Sequence, residues 1–354
     1  MAARKDRSAL EAVSEAQRIA CAPFEFTAAA CLRDFGILEF LNKKDEGGAT
    51  SEEIQEIASL GPYAARVLLT ACAYCGLIEE TDGRYRLSKT GWFLANDPMT
   101  RTNFDFAADV CAKPMLSLRD ALRSGSPDGL RALGPWSDSI YPHLGELPEP
   151  ARASWFRFDH FYSDSAFDAC LPIVFRKKPL VINDIGGNTG KWAVRCCRYS
   201  ERVRVRLIDL PEQCRAAART VELEKLGDRI ELFEANLLEE GKLPGDADCW
   251  WMSQFLDCFS EEDALRILGR IRGSMKPGST LFILEPLVGE QPFEIGNRVL
   301  AAFSLYFTAV ANGRSRFYTL GDMKRLAEKA GFTVVSVTSG LGTGHTLLEL
   351  GKAP

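Results

Sequence analysis

The run Asp184-Ile185-Gly186-Gly187-Asn188-Thr189-Gly190 gathers three glycines, two short polar side chains and a carboxylate within seven residues. It follows an apolar stretch and precedes an amphipathic one, which predicts a buried strand turning into a helix. Glycines at such a turn let the backbone come close to a ligand, and the helix N-terminus offers free N–H groups to a carboxylate or phosphate. That is the chemistry of a nucleotide-type cofactor site. A dinucleotide fingerprint requires Gly-x-Gly-x-x-Gly, and Ile185 stands in the first position when Gly187 and Gly190 fill the other two, which disfavours NAD. The next apolar run ends at Asp209, just before Leu210-Pro211, where an acidic side chain can accept hydrogen bonds from both hydroxyls of a ribose.

A second group of chemically interesting residues is Trp155-Phe156-Arg157-Phe158-Asp159-His160-Phe161-Tyr162. Phe158 and Tyr162 are four apart and Trp155 precedes Phe158 by three, so the rings share one helix face. Such a stripe is either plain core or the wall of a pocket. His143, in a Pro-rich loop, and His345, before a closing strand, read as structural. Cys72 and Cys75 have no second pair or nearby His to complete four zinc ligands, so they read as core thiols and no metal is expected.

The elements that must position these residues follow from periodicity. The C-terminal half alternates apolar runs with amphipathic helices, the pattern of parallel βαβ units. Strands are predicted near 180–185, 203–208, 230–233, 248–254, 280–285, 333–337 and 346–350, with helices near 191–198, 212–226, 261–275 and 320–330. Ser260 with Asp263 and Thr319 with Asp322 give N-cap starts. The last two strands are joined by a short loop, which implies an antiparallel closing pair. The first third reads as helical and then as a winged helix. Thr50 with Glu53 forms a capping box, a second helix runs from about Tyr63 to Cys75, and Asp82-Gly83 turns a hairpin. That second helix carries only Arg66 among Ala, Val and Leu, so packing against another subunit suits it better than reading DNA. Between Met99 and Pro150 the chain predicts short helices broken by Gly125-Ser126-Pro127 and Leu133-Gly134-Pro135.

With 354 residues, 46% hydrophobic and 26% charged, the chain has ordinary globular composition and room for two domains. A formal net charge of -5 leaves no footprint for nucleic acid. The start, Arg4-Lys5-Asp6-Arg7, continues into further charges and does not read as a signal peptide. The apolar run Val299 to Ala311 is too short to span a bilayer, so a soluble protein with no membrane partner is expected. Eleven cysteines scattered among apolar neighbours suit reduced thiols in a cytoplasm.

At the glycine motif Asp184 to Gly190, the Asp209-Leu210-Pro211 turn and the run Asp248 to Leu268, the sequence resembles the small-molecule O-methyltransferases that include plant phenolic and bacterial polyketide enzymes. These are class I S-adenosylmethionine-dependent enzymes with an N-terminal winged-helix dimerisation domain, so the resemblance covers nearly the whole chain. It implies a homodimer that binds S-adenosylmethionine, releases S-adenosylhomocysteine and uses no metal. Asp184, Gly186, Gly187, Asn188 and Gly190 would seat the methionine part of the cofactor, with Ser253 and Gln254 at the end of the neighbouring strand. Asp209 and Leu210 would hold the ribose. Asn236, beside Leu237, falls where the family usually has an Asp that binds the adenine amino group. The catalytic end departs from the pattern. The family's Leu-His-Asp-Trp is here Leu256-Asp257-Cys258-Phe259, so the usual His base is replaced by Asp257. The first supporting acid aligns with Glu285, but the second aligns with Ser315. His160 is the other candidate base and the favoured one, because an unperturbed imidazole already titrates near neutrality whereas Asp257 needs burial to do so. Trp155, Phe158, Tyr162, Phe303, Tyr306 and Asn312 would line the acceptor pocket.

The expected fold is α/β, a seven-stranded doubly wound Rossmann-like domain behind a mostly helical winged-helix domain. The divisions are 1–100 for dimerisation, 101–165 for a helical linker and pocket segment, and 166–354 for the cofactor-binding domain. The expected function is O-methylation of a small hydroxylated aromatic, polyketide or polyene-like compound. Carbon methylation ortho to a phenol, a cofactor-binding relative that does not methylate, and a winged-helix ligand sensor are the alternatives.

Overall fold

Residues 7–44 and 47–353 are described in a computed structural model, so Arg4, Lys5 and Asp6 of the charged start lie outside the described residues. Two compact units meet at Ala108 and Asp109. The division expected after residue 100 instead falls within a helix that Asp97 caps by accepting the Thr100 N–H. The one expected after residue 165 falls within another, which runs unbroken from Ala151 to Val174.

The first unit contains α1 (Ala9–Asp34), α2 (Ile37–Lys44), β1 (Ala49–Thr50), α3 (Ser51–Ala58), α4 (Pro62–Tyr74), β2 (Ile78–Thr81), β3 (Arg84–Leu87), α5 (Lys89–Asn96) and α6 (Pro98–Asp105). Its helix starts are written locally. Glu53 accepts the Thr50 N–H at 2.8 Å while Thr50 accepts the Glu53 N–H, satisfying two otherwise orphaned donors of α3. β2 and β3 pair about Asp82-Gly83 and β1 joins the other edge of β3, which makes the wing. Leu32, Ile37, Leu41, Ile54, Leu69 and Ile78 form the core of this unit. Large apolar side chains remain outside it: Leu10, Val13 and Phe24 on α1, and Tyr63, Val67 and Tyr74 on α4, with Phe24 76% and Tyr74 92% exposed.

The second unit holds α7 (Leu118–Ser124), α8 (Ala151–Val174), β4 (Val181–Ile185), α9 (Lys191–Tyr199), β5 (Arg204–Asp209), α10 (Pro211–Leu223), β6 (Ile230–Glu234) and β7 (Cys249–Ser253), followed by α11 (Glu261–Ser274), β8 (Thr280–Glu285), α12 (Glu294–Tyr306), α13 (Leu320–Lys329), β9 (Phe332–Leu341) and β10 (His345–Lys352). The strand order is β6-β5-β4-β7-β8-β10-β9; the first five run parallel, and β10 is antiparallel to both its neighbours. Continuous burial of β8 is what a sheet covered on both faces demands. Alternation divides its contacts. Trp250, Ile283 and Leu348 pack with Ile267 and Leu268 of α11 and Met323 of α13, whereas Trp251, Phe282 and Leu347 pack with Phe167 of α8 and Trp192 of α9. The strand order reverses between β4 and β7, and in a doubly wound sheet the crevice beyond the carboxyl ends of such strands is where ligands bind. Among the described residues no helix is long and apolar enough to cross a membrane.

Leu348 is fully buried on β10 between two antiparallel partners. Leu348→Ala is expected to cost about 2–5 kcal/mol through lost transfer energy and a residual cavity, read as a lowered urea midpoint.

Candidate functional site

The loop after β4 is shaped by close approach. At Gly186 (φ 68°) a Cβ would sit 2.2 Å from the Phe255 ring, and at Gly187 one would meet the Leu207 side chain at 2.5 Å and Asp184 Oδ2 at 2.7 Å. Asn188 takes the left-handed conformation with φ 48°, which Asn tolerates better than most residues, and Gly190 leads into α9. Gly186, Gly187 and Asn188 line a pocket together with Asp184, Ser253, Gln254 and, from α8, Asp159 and His160, whereas Gly190, Asp209 and Leu210 are not among its lining residues. Asn236 and Leu237, beyond the end of β6, are not among the residues lining this pocket.

The pocket is polar in a particular way. Asp184 is 2% exposed, its Oδ2 has no protein partner, and burial with the nearby Asp209 charge pushes its carboxyl up to about 8. The buried Ser253 Oγ is likewise unpaired. Beneath them the rings of Trp192 and Trp251 stack 3.9 Å apart, their indole N–H groups also without partners. Buried polar atoms are nearly always hydrogen-bonded, so orphans concentrated at one cleft mark groups that face a ligand. The glycine cradle and these orphans fit the methionine end of the cofactor that the sequence implies.

Asp209 stands at the end of β5, where its Oδ2 accepts the Asn188 N–H at 2.9 Å and its Oδ1 the Leu210 N–H at 2.8 Å. Burial pushes its carboxyl up to about 6 against those two donors. Each oxygen keeps a lone pair for a ribose hydroxyl. The Asn236 amide is engaged in its own loop, accepting from the Leu238 N–H and donating to Glu239.

Sequence reasoning passed over the acids of α8. Asp159 Oδ2 accepts from Asn188 Nδ2 at 2.9 Å, and Asp164 pairs with Lys191 at 2.5 Å. No local signal announces either contact, because both bridge α8 to the turn into α9. His345 was also given too small a part: its Nε2 lies 2.8 Å from Oε1 of Gln254, whose φ is 48°. Complete burial pushes that imidazole down to about 4, so it is neutral at pH 7, and its Nδ1 has no partner.

The residues expected to take the acceptor come from α8, α12 and the turn after β7. Phe158 packs on Tyr162 at 5.2 Å and on Phe303 at 5.4 Å, and Trp155 meets Tyr306 edge-on at 5.9 Å. The aromatic stripes expected of the two helices therefore face each other. Asp257 lies in the short turn Leu256–Cys258, 4% exposed, with its carboxyl pushed up to about 7 by burial. Cys258 Sγ is 3.5 Å from its Oδ1, and the buried hydroxyls of Tyr141 and Tyr306 feel its charge. Glu285 is 1% exposed, and its Oε2 has no partner. Its Oε1 accepts the N–H groups of Phe255 and Leu256 at 3.1 and 3.0 Å, bracing the turn that presents Asp257, and burial holds its carboxyl far above the usual range. Asn312 is a brace as well: it donates to the Cys258 carbonyl at 2.7 Å and accepts from the backbone and hydroxyl of Ser315. His160 lines the cofactor-side pocket, parallel to Phe156 at 6.5 Å. Among the described residues no group of His, Cys, Asp or Glu is placed to hold a metal.

Comparison with known proteins agrees with this layout. Residues 175–333 match the model of an O-methyltransferase domain, and residues 14–85 that of a Dimerisation2-like domain. Among curated relatives, an L-tyrosine C(3)-methyltransferase of Streptomyces lavendulae is 22% identical over 312 residues, 87% of this chain and 83% of that protein. A 3-hydroxy-5-methyl-1-naphthoate 3-O-methyltransferase of Streptomyces sahachiroi is 26% identical over 248 residues, 69% of each. Among solved structures, an O-methyltransferase from neocarzinostatin biosynthesis, in complex with S-adenosylmethionine and 2-hydroxy-5-methyl naphthoic acid, superposes with a TM-score of 0.70 at 19% identity, covering 94% of this chain and 96% of that one. With its glycine loop inside residues 175–333 and most of its winged helix inside residues 14–85, the chain carries an O-methyltransferase domain preceded by a Dimerisation2-like domain.

Proposed function

We propose that this methyltransferase moves the methyl group of S-adenosylmethionine onto the phenolic oxygen of a flat aromatic or polyketide acceptor, with Asp257 as the base, and works as a cytoplasmic homodimer. The observation that carries the reading is Asp257 itself, buried near Tyr306 of α12 and Asp159 of α8 and pushed up to about 7. A base works best when it titrates near the working pH, and burial gives Asp257 what its residue type lacks. The condition that made His160 the favoured base is thus met at the family's own position.

The sulfonium supplies an activated methyl and a good leaving group. The protein's share is orientation and proton removal. Phe158, Phe303 and Tyr306 offer flat apolar walls to an aromatic ring, and Asp257 takes the hydroxyl proton as the oxygen's lone pair forms the new bond to carbon. The C–S electron pair stays on sulfur. Glu285, bonded to the Phe255 and Leu256 N–H groups, keeps the carboxylate in place.

One finding favours a second reading. The relative from Streptomyces lavendulae is named for methylation at a ring carbon, and a phenolate ortho carbon is nucleophilic once the hydroxyl proton has gone. Asp257 would serve that reaction equally, so the product's NMR spectrum, methoxy or aryl methyl, decides between them.

Asp257→Asn is expected to lower kcat roughly 10²- to 10⁴-fold while leaving S-adenosylhomocysteine affinity unchanged, because only transition-state stabilisation is lost. In the wild type kcat/KM should rise with pH through about 7 as Asp257 ionises. Stability changes in the opposite direction. The folded pKa lies above the unfolded one, so this group's contribution is full below the ordinary carboxylate pKa and is lost as pH rises through about 7. The melting temperature of Asp257→Asn relative to wild type should therefore increase between pH 4 and 8. A larger loss of kcat in His160→Ala than in Asp257→Asn would move the base to His160.

The exposed apolar faces of α1 and α4 support the dimer. Sedimentation should show a dimer at micromolar concentration, and Phe24→Glu with Tyr74→Glu should give a folded monomer.

A further inference from the structure

We propose that Asp159 selects the methyl donor by charge: its carboxylate reads the positive sulfonium, so that the pocket prefers S-adenosylmethionine to the uncharged thioether left after transfer. The inference rests on the methyl-donor reading of the pocket and assigns a residue that the family's glycine and ribose motifs do not contain.

Geometry places Asp159 between the two halves of the site. On the cofactor side its Oδ2 is held by Asn188 Nδ2 at 2.9 Å, in the loop whose backbone forms the cradle. It lines the same pocket as Asp184 and Ser253, whose buried oxygens lack partners. On the acceptor side its charge is felt at Asp257, at Cys258 and at the Tyr306 hydroxyl. A methyl group in transfer must pass between donor sulfur and acceptor oxygen, and Asp159 is the α8 acid that meets the cradle while its charge reaches Asp257.

The surrounding charges point the same way. Asp159, Asp164, Asp184 and Asp209 stand around the loop, while the cationic side chain facing them, Lys191, is committed to Asp164 at 2.5 Å. His160, adjacent on the same helix, is the other titratable neighbour. Burial pushes the carboxyls of Asp159, Asp184 and Asp209 upward, as expected for acids gathered with too few cations. Lone carboxylates are destabilised in such a place, and a ligand carrying fixed positive charge relieves them. The methionine ammonium is common to donor and product, so it cannot distinguish them. Only the sulfonium differs. Asp184 and Asp209 are placed toward the cradle and the ribose, which leaves Asp159, of the four acids around the loop, as the one whose charge also reaches Asp257 and Tyr306.

Asp159→Asn is a fair test, because the amide oxygen can still accept from Asn188 while the charge is gone. Titration calorimetry of the full-length protein would use S-adenosylmethionine, S-adenosylhomocysteine and sinefungin, which places an amine near the sulfonium position. Wild type should bind both charged ligands more tightly than S-adenosylhomocysteine, by roughly tenfold for one partly shielded ion pair. Asp159→Asn should bring the three affinities together by weakening the charged pair, and Asp159→Glu should restore part of the gap. Retained S-adenosylhomocysteine binding shows that the variant is folded. Equal weakening of all three, or an unchanged ratio, overturns the proposal. Wild-type protein that binds none of the three overturns the methyl-donor reading, and the role of Asp159 with it.

Discussion

The contacts of Asn188 tie together the parts on which the site depends. In the left-handed conformation its N–H meets Asp209 at the end of β5 while its side chain meets Asp159 on α8, so one residue fixes loop, strand and helix at a single point. The loop can do this only because Gly186 and Gly187 leave no Cβ to push Phe255 and Leu207 away. Position 188 thereby holds a side chain that adds a bond without losing the left-handed backbone conformation.

At the turn after β7 the protein shifts carboxylates by desolvation. Asp257 and Glu285 are both almost fully buried, and burial raises both, with the Asp159 charge adding to the shift of Asp257 and the Asp257 charge to that of Glu285, yet their bonds differ. Glu285 takes two backbone N–H groups through Oε1 and becomes part of the scaffold. Asp257 has a thiol at 3.5 Å as its side-chain partner, which leaves it free to accept a proton. Burial is the first cause of its raised pKa, so the packing around the turn also sets its acidity.

Much of this was legible in the sequence, for physical reasons that also explain the rest. β8 is a nearly continuous apolar run ended by an acid, and its predicted limits, Thr280–Glu285, coincide with those observed. The glycine loop is local chemistry and needs no tertiary context. Caps were legible too, although Asp322 completes a full capping box with Thr319 despite being shorter than Glu. Contacts between distant segments were not. Asp159 sits next to the residue singled out as a base, yet only the folded chain shows that it meets Asn188. Asn312 looked like a pocket residue because of its place after an apolar helix, but a π-helical turn at Phe307–Ala311 carries it back to pin Cys258. Periodicity does not foretell such a turn.

The stacked Trp192 and Trp251 rings have a consequence beyond packing. Two indoles 3.9 Å apart and 14° from parallel, one on α9 and one on β7, share their electronic excitation. They lie in the floor of the cofactor pocket, so the molecule carries its own chromophore pair where the donor's adenosine and methionine parts would settle. Near-ultraviolet circular dichroism and tryptophan emission therefore become intrinsic gauges of what occupies that floor, with no label attached.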